Sequence, residues 1–509
     1  MILAVIVVLL AVTSLWIWLL YSHDIFEEWD GVLHYFSGLN FWESFVYKGW
    51  ASHFWPPLQP LIISLGDPLV MGKIVALLSG LLVIIYSYLE SLRNSLSRSE
   101  SILVLIFVAS SSTFLLAFSV VENHALETGF ALLGVTFFFL SSESKKYLVV
   151  SAVFIALAGL VRYTSYIYAL VLAFACLFRA DKKGFYDAAL FSIIFVLVSS
   201  VWWLPNYFIN GSPLATWQYL NVGSRIYPGG SFEWWWHGQN DYKDLSDLIF
   251  RHPILFIENF IKNIAYGLVI VAKGLTSHWL TSFLLIATFI YCSITKRKYI
   301  FLFFKKNFLI VCAGTGYILL CSIAFVFHDA LLPVMMMGTV FLGIFLLKYF
   351  RYGAALLLLA SISNAALSYI DASTYLDYQD DRGGQLASLT EVNDVLIKDK
   401  ASLISSIHPA RAYYAETGWI MFPLYGVSSL CQVIDYSFSD KVYSYAPKHP
   451  VDLNRKSLSI SHLVVGPSLK GMDHLIDPDS YLEVIKCENF SAVRIYNDDK
   501  GVSVYRVKY

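Results

Sequence analysis

The 509-residue sequence predicts a polytopic α-helical membrane protein with a small α/β domain at its C-terminal end. Three observations predict it. Only 14% of residues are charged and 57% are hydrophobic, with a mean hydropathy of +0.60, whereas a soluble domain carries about 25% charge. Apolar stretches of roughly 17–22 residues, the length a helix needs to cross a bilayer, recur along positions 1–370. Basic residues gather in alternate connections between them. This composition excludes an ordinary soluble enzyme, a disordered chain and a free nucleic-acid binder. The 14 Trp, 33 Tyr and 37 Phe suit bilayer interfaces and a wet aromatic face.

About eleven spans are expected. They begin near Ile2, Leu69, Ser101, His124, Tyr147, Tyr163, Asp187, Ser277, Asn307, Ala330 and Gly353. The first has no basic start and no small-residue cleavage site, so it reads as a retained span. With the N-terminus inside, the connections holding Arg93/Arg98, Lys145/Lys146, Arg179/Lys182/Lys183, Lys296–Lys306 and Lys348/Arg351 all become cytoplasmic. The outer connections are then residues 22–66, the turns at Glu122 and Arg162, residues 206–276 and the His328–Asp329 turn. Leu255–Leu275 is apolar but carries Glu258, Lys262 and Lys273, so it is expected to be an interfacial amphipathic helix. An odd number of spans places residues 371–509 outside. That tail mixes a helical run, Leu386–Lys398, with β-rich runs at Ser402–Ile404, His462–Val465, Ala492–Ile495 and Val502–Val507. Four of the six Cys lie in apolar runs. Cys431 and Cys487 lie in the tail, where they either stay free or pair, and pairing needs an oxidising side of the membrane. No zinc-ligand spacing occurs and no cofactor or metal is implied; metal dependence is open.

The first outer loop carries Asp24, Glu27, Glu28, Asp30 and Glu43 among Trp29, Trp42, Trp50 and Trp55. Acids among aromatics just above a membrane suit a polar group presented by a lipid; a merely solvated loop is the plain alternative. The turn VVENHALE places Glu122, His124 and Glu127 at the mouth of two spans, where ionisable groups turn to a cavity or to water. Arg162 is the single charge in a long apolar stretch, free to snorkel to the interface or to hold a lipid phosphate through paired donors. Arg225, Trp234, Trp235, Trp236 and His237 lie in the long outer loop, where the aromatics either stack on a sugar or rest in the interface. His328 and Asp329 are too few to bind a metal. No Gly-rich phosphate loop, Ser-His-Asp spacing or HExxH occurs.

Together EEWDGVLHY, PPLQPLIISL, GLVRYTSYIYAL and HDALLPVMMMGTVFL resemble the GT-C superfamily of membrane glycosyltransferases. They are most similar to the protein O-mannosyltransferase and aminoarabinose-transferase group, glycosyltransferase family 39. The resemblance covers about 370 residues and rests on the order and sidedness of these segments. It implies a polyprenyl-phosphate-linked sugar as donor and an acceptor hydroxyl on a glycan, lipid or protein as partner. It implies that Asp30 is the general base of an inverting transfer, that Glu122 is a second acidic position, and that Arg162 neutralises the departing lipid phosphate. Trp55 stands where relatives carry Lys before the Pro-Pro pair, so Lys48 or His53 would take that part. Glu27, Glu28, His124 and Arg225 are further candidates to bind the donor. A multi-pass plasma-membrane location follows, with the tail outside. A transporter or flippase of a lipid-linked or polar substrate is the alternative; it would show paired halves with matched broken spans, which are not seen.

Overall fold

The computed structural model describes residues 2–22, 29–45, 47, 54–119, 123–178, 182–216, 218–226, 242, 244–275, 279–324, 326–379, 388–406, 410–421, 431, 444–445, 460–465, 483–488, 490–498 and 502–508. The long apolar helices are α1 (Ile2–Ser22), α4 (Pro68–Arg93), α5 (Arg98–Ala109) with its continuation α6 (Ser112–Ala117), α7 (Asn123–Leu140), α8 (Lys145–Val161), α9 (Tyr166–Leu177) and α10 (Lys182–Asn210). After the second long loop come α14 (Trp279–Thr295), α16 (Phe308–Ser322), α17 (Leu332–Tyr349) and α18 (Gly353–Gln379). Each expected span has its helix. Among the described residues six helices are long and apolar enough to cross a membrane; α15 (Arg297–Lys306) with α16 makes a seventh apolar unit, bent by 72°. The protein is a multi-pass helical membrane protein.

Local chemistry sets the helix ends. Asp67 accepts from the Val70 amide at 2.9 Å and Pro68 opens α4, whose fixed φ suits a first turn. Ser97 and Glu100 form a reciprocal capping box at the start of α5. The run expected as one span from Ser101 breaks at Ser110–Ser111, because Ser111 caps a new short helix by accepting from the Phe114 amide.

The loop helices sit at one end of the bundle. They are α2 (Trp29–Ser44), α3 (Leu58–Ile63), α11 (Gln218–Ile226) and α12 (Leu245–Arg251). Helix α2 lies tight on α3: a Cβ at Gly38 would collide with the Ser64 side chain and the Pro60 carbonyl, so only glycine fits. The tail contributes α19 (Leu389–Lys398), α20 (Ala410–Tyr414) and a seven-stranded mixed sheet of order β3-β2-β1-β4-β7-β6-β5. Its strands are β1 (Leu403–Ser406), β2 (Gly418–Met421), β3 (Ser444–Tyr445), β4 (His462–Val465), β5 (Val484–Lys486), β6 (Ser491–Asn497) and β7 (Ser503–Lys508). The strand β1 runs parallel to β2 and β4, and the other pairs are antiparallel. Cys431 and Cys487 form a disulfide. Val32, Leu33 and Phe36 of α2 share one hydrophobic core with Leu220, Leu396, Ile404, Val464 and Val504, so loops and tail are packed as one layer above the bundle.

The amphipathic run Leu255–Leu275 is a continuous helix, α13 (Pro253–Gly274). Near its start Asn259 and Asn263 donate to the carbonyls of Ala324 and Ser322 at the loop end of α16. Its far end meets Met335, and the Leu275 carbonyl accepts from Thr339, inside the first half of α17. At that end the Gly274 carbonyl accepts from Thr113 at 3.0 Å and a Cβ on Gly274 would lie 3.5 Å from the His328 ring, so these contacts hold α13 against the loop-side ends of α16 and α17, away from the basic end marked by Lys348. Its length satisfies a full crossing, but its polar Asn edge ties it to the loop end.

Candidate active site

The site is built where α7, α8 and α9 meet the loop layer. Arg162 caps the C-terminus of α8 in extended conformation, and a single 3₁₀ turn, Tyr163–Ser165, carries the chain into α9. Gly159, one turn earlier, has no room for a Cβ because the Tyr166 ring lies against it. Two indoles brace the hairpin: Trp202 donates to the Tyr163 hydroxyl at 2.9 Å and Trp203 to that of Tyr166 at 2.8 Å. The position of the guanidinium is thus set by packing on both sides.

Arg162 side-chain exposure is 14% and its partner Glu127 is fully buried, with Nε to Oε2 at 3.4 Å. Glu127 Oε1 also accepts from Thr164 at 2.7 Å and Ser165 at 2.8 Å, and Oε2 accepts from the Tyr317 hydroxyl at 3.0 Å. A buried carboxylate is tolerable only with such a set of donors. The other edge of Arg162 meets His124, with Nη1 to Nε2 at 2.9 Å. Sequence reading placed Glu127 at the span mouth without a role and missed Thr164, Ser165 and Tyr317. The lone polar residues in GLVRYTSY and GTGYILLC were the available signal.

A cavity of about 750 Å³ opens beside Arg162. Phe54, Trp55, Thr164, Gln218, Asp244 and Phe327 are among its walls. The wall therefore draws on both long loops, the α8–α9 turn and the α16–α17 turn. Gln218 is locked by donating to the Phe54 carbonyl at 3.0 Å. His34, on α2, is 1% exposed and sits 4.9 Å from the Trp55 ring, centroid to centroid. Burial first, and the Arg162 charge second, hold its imidazole down to about 3, so it is neutral. Asp30 lies in the first turn of the same helix, one turn before His34. The helix spacing of four residues puts positions 30 and 34 on one face.

Of the expected site residues, Arg162 and His124 are brought into contact. Arg225 is exposed on the last turn of α11, three residues beyond Val222, which does line the cavity. Asp30 is placed by its backbone alone, and Glu27, Glu28, Lys48, His53 and Glu122 lie outside the described residues, as do Trp234–His237. His328 contacts Asp329 at 3.3 Å and Thr113 at 3.5 Å. Among the described residues no group of three His, Cys, Asp or Glu is arranged to hold a metal ion.

No protein-family model and no curated protein matches the sequence. Solved structures do. ArnT from Cupriavidus metallidurans bound to undecaprenyl phosphate aligns with a TM-score of 0.62 at 12% identity, covering 98% of this chain and 97% of that one. The apo state of ArnT from the same organism aligns with a TM-score of 0.57 at 11% identity, with the same coverage. At such identity the likeness is one of fold, and it extends over nearly the whole of both chains. Read as fold alone, this chain has the fold of ArnT.

Proposed function

We propose that the protein transfers a sugar from a polyprenyl-phosphate donor to an acceptor hydroxyl at the outer face of a membrane. The observation that carries this reading is a fixed guanidinium in the wall of a cavity where the loop layer meets the spans. A planar cation with paired donors suits a phosphate oxygen pair, and the cavity has the size of a small-ligand site. ArnT of the same fold is described with undecaprenyl phosphate bound, which supports a lipid phosphate as the ligand here.

In this reading Arg162 steadies the phosphate as it leaves the anomeric carbon, where negative charge builds up in the transition state. Asp30 takes the proton of the acceptor hydroxyl, which attacks the anomeric carbon from the opposite side and inverts it. Glu122 is a second acidic position, and His124, Lys48, His53, Glu27, Glu28 and Arg225 are the further candidates to bind the donor. The transmembrane domain of residues 1–370 holds the chemistry, and the domain of residues 371–509 covers it from outside. The Cys431–Cys487 disulfide supports an extracytoplasmic tail, because such bonds persist on the oxidising side. The N-terminus is then cytoplasmic, as the basic connections require.

The test is sugar transfer in membranes supplied with a polyprenyl-phosphate sugar. Asp30→Asn and Arg162→Ala are expected to fold and to lose turnover by roughly a hundredfold or more. Full turnover in either variant removes that residue from its role. Flux of the lipid-linked sugar in sealed vesicles without a new glycosidic bond would replace the transferase with a flippase.

A further inference from the structure

The protonation state of His124 is fixed by its neighbour. A guanidinium nitrogen can only donate. Arg162 Nη1 lies 2.9 Å from His124 Nε2, so Nε2 supplies the lone pair and the ring proton sits on Nδ1. That Nδ1 is buried and has no hydrogen-bond partner among the described residues. A buried donor left unmet is costly, and native structures seldom keep one without use. The imidazole also stands edge-on to Phe327, 5.4 Å between ring centroids, and Phe327 lines the cavity. The imidazole that carries the unmet donor is therefore one side chain away from the ligand space.

The arrangement has an order of cause. Glu127 takes hydrogen bonds from Thr164, Ser165 and Tyr317, which come from the 3₁₀ turn, the first residue before α9 and α16. With its carboxylate held from three points, Glu127 fixes the Nε edge of Arg162. Arg162 in turn fixes the tautomer of His124. We propose that Glu127 is a positioning residue for Arg162, and that neutral His124 presents its Nδ1–H to an oxygen of the lipid phosphate beside the guanidinium. This inference rests on the glycosyltransferase reading and extends it. The phosphate is met by one permanent cation and one neutral donor, so its charge is not over-neutralised and the leaving group can depart after transfer. The neutral ring also escapes the repulsion that an imidazolium would suffer beside Arg162.

The full chain, reconstituted in lipid with ¹⁵N-labelled histidine, tests this by solid-state NMR, with the His124 signals assigned through their loss in His124→Gln. The expected wild-type pattern is a protonated Nδ1 and a bare Nε2, and a short-chain isoprenyl monophosphate is expected to shift the Nδ1–H signal. Glu127→Gln should mix the tautomers and weaken isoprenyl-phosphate binding by roughly tenfold. Tyr317→Phe removes one donor to Glu127 without changing charge, so it gives a second reading if Glu127→Gln does not fold; it is expected to shift the same signals in the same direction. An Nε2-protonated ring or an imidazolium in the wild type overturns the proposal. Binding of the isoprenyl phosphate with unchanged His124 signals overturns this inference alone, whereas no binding at all by the wild-type chain overturns the glycosyltransferase reading with it.

Discussion

His34 shows what one buried side chain does to the site. It stands in the EEWDGVLHY segment, whose spacing was legible in the sequence, but its burial against Trp55 was not. A neutral imidazole held down to about 3 against an ordinary 6.5 binds fewer protons folded than unfolded. Its contribution is fully present above pH 6.5, where both states are neutral, and is lost as pH falls toward 3, because only the unfolded form takes up the proton. The slope is at most about 1.4 kcal/mol per pH unit over that window. His34→Leu keeps the volume filled and removes the titration. Thermal unfolding between pH 6.5 and pH 5 should therefore fall less steeply in His34→Leu than in the wild type. Parallel curves would show that His34 takes up no proton on unfolding. The Arg162–Glu127 pair teaches the same lesson: each residue stood out in its own apolar run, but 34 intervening positions hid their contact.

Helix ends at the far side of the bundle are tied by a second buried network. Glu90, fully buried near the end of α4, pairs with Arg93 at 2.7 Å and accepts from Thr136 of α7 at 3.1 Å. Arg93 also donates to Asn307, and Asn307 donates to Asn94 at 3.3 Å, so α4, α7 and the start of α16 are joined in one set. Lys306 and Lys348 donate to the carbonyls of Arg93 and Asn94, which α4 leaves without helical partners at its C-terminus. Removing one member of a buried ion pair strands the other. Glu90→Ala is expected to cost about 3 kcal/mol of stability, and Glu90→Leu with Arg93→Met to recover most of it. Thermal unfolding in detergent measures both, and an equal loss in the single and double variants would sink the account. The basic clusters were read from sequence as markers of sidedness; that two of their lysines also cap a helix depends on which helix ends converge. Helix α13 fell between readings for a similar reason. Its periodicity spoke of an amphipathic helix and its length of a span, while Asn259, Asn263 and the contact with Met335 hold it against the loop-side ends of α16 and α17.

At the scale of the whole molecule, loops and tail behave as one body on the bundle. The Tyr35 and Tyr413 rings cross edge to face at 5.5 Å, and the core that contains Leu33 of α2 also contains Leu463 of β4. The Cys431–Cys487 bond closes 56 residues of this layer, a loop for which chain entropy gives about 4 kcal/mol of stabilisation as an upper figure. Cys431→Ser with Cys487→Ser should therefore loosen the tail and α2 together. Hydrogen exchange is expected to speed up in β4, β7 and α2, with α4 and α7 unchanged. Faster exchange confined to the tail would mean that the two layers do not share their stability. Within the tail, His462 lies between Asp399 at 2.8 Å and Ser461 at 3.0 Å. Ser461 Oγ accepts from the Ser402 and Leu403 amides and donates to the Leu403 carbonyl, and Asp399 also holds Arg506. Those bonds make the Asp-His-Ser line a strut between α19 and the sheet, since the hydroxyl is already spent on backbone.

The sequence by itself determined the class of solvent, the helices that cross it and the presence of a mixed domain at the tail, because hydropathy, charge placement and β-rich runs are local properties that span length and pairing period convert directly into elements. It also marked Arg162 and the acidic loop as residues out of place in their surroundings. Only the tertiary structure decided which of them meet: the cavity is assembled from two loops and two turns far apart in the chain, and the carboxylate, guanidinium and imidazole that flank it touch through packing of α7, α8 and α16. Local pattern fixes what a segment is; the pairing of distant polar groups is fixed by helix packing, where burial makes every unmatched charge costly.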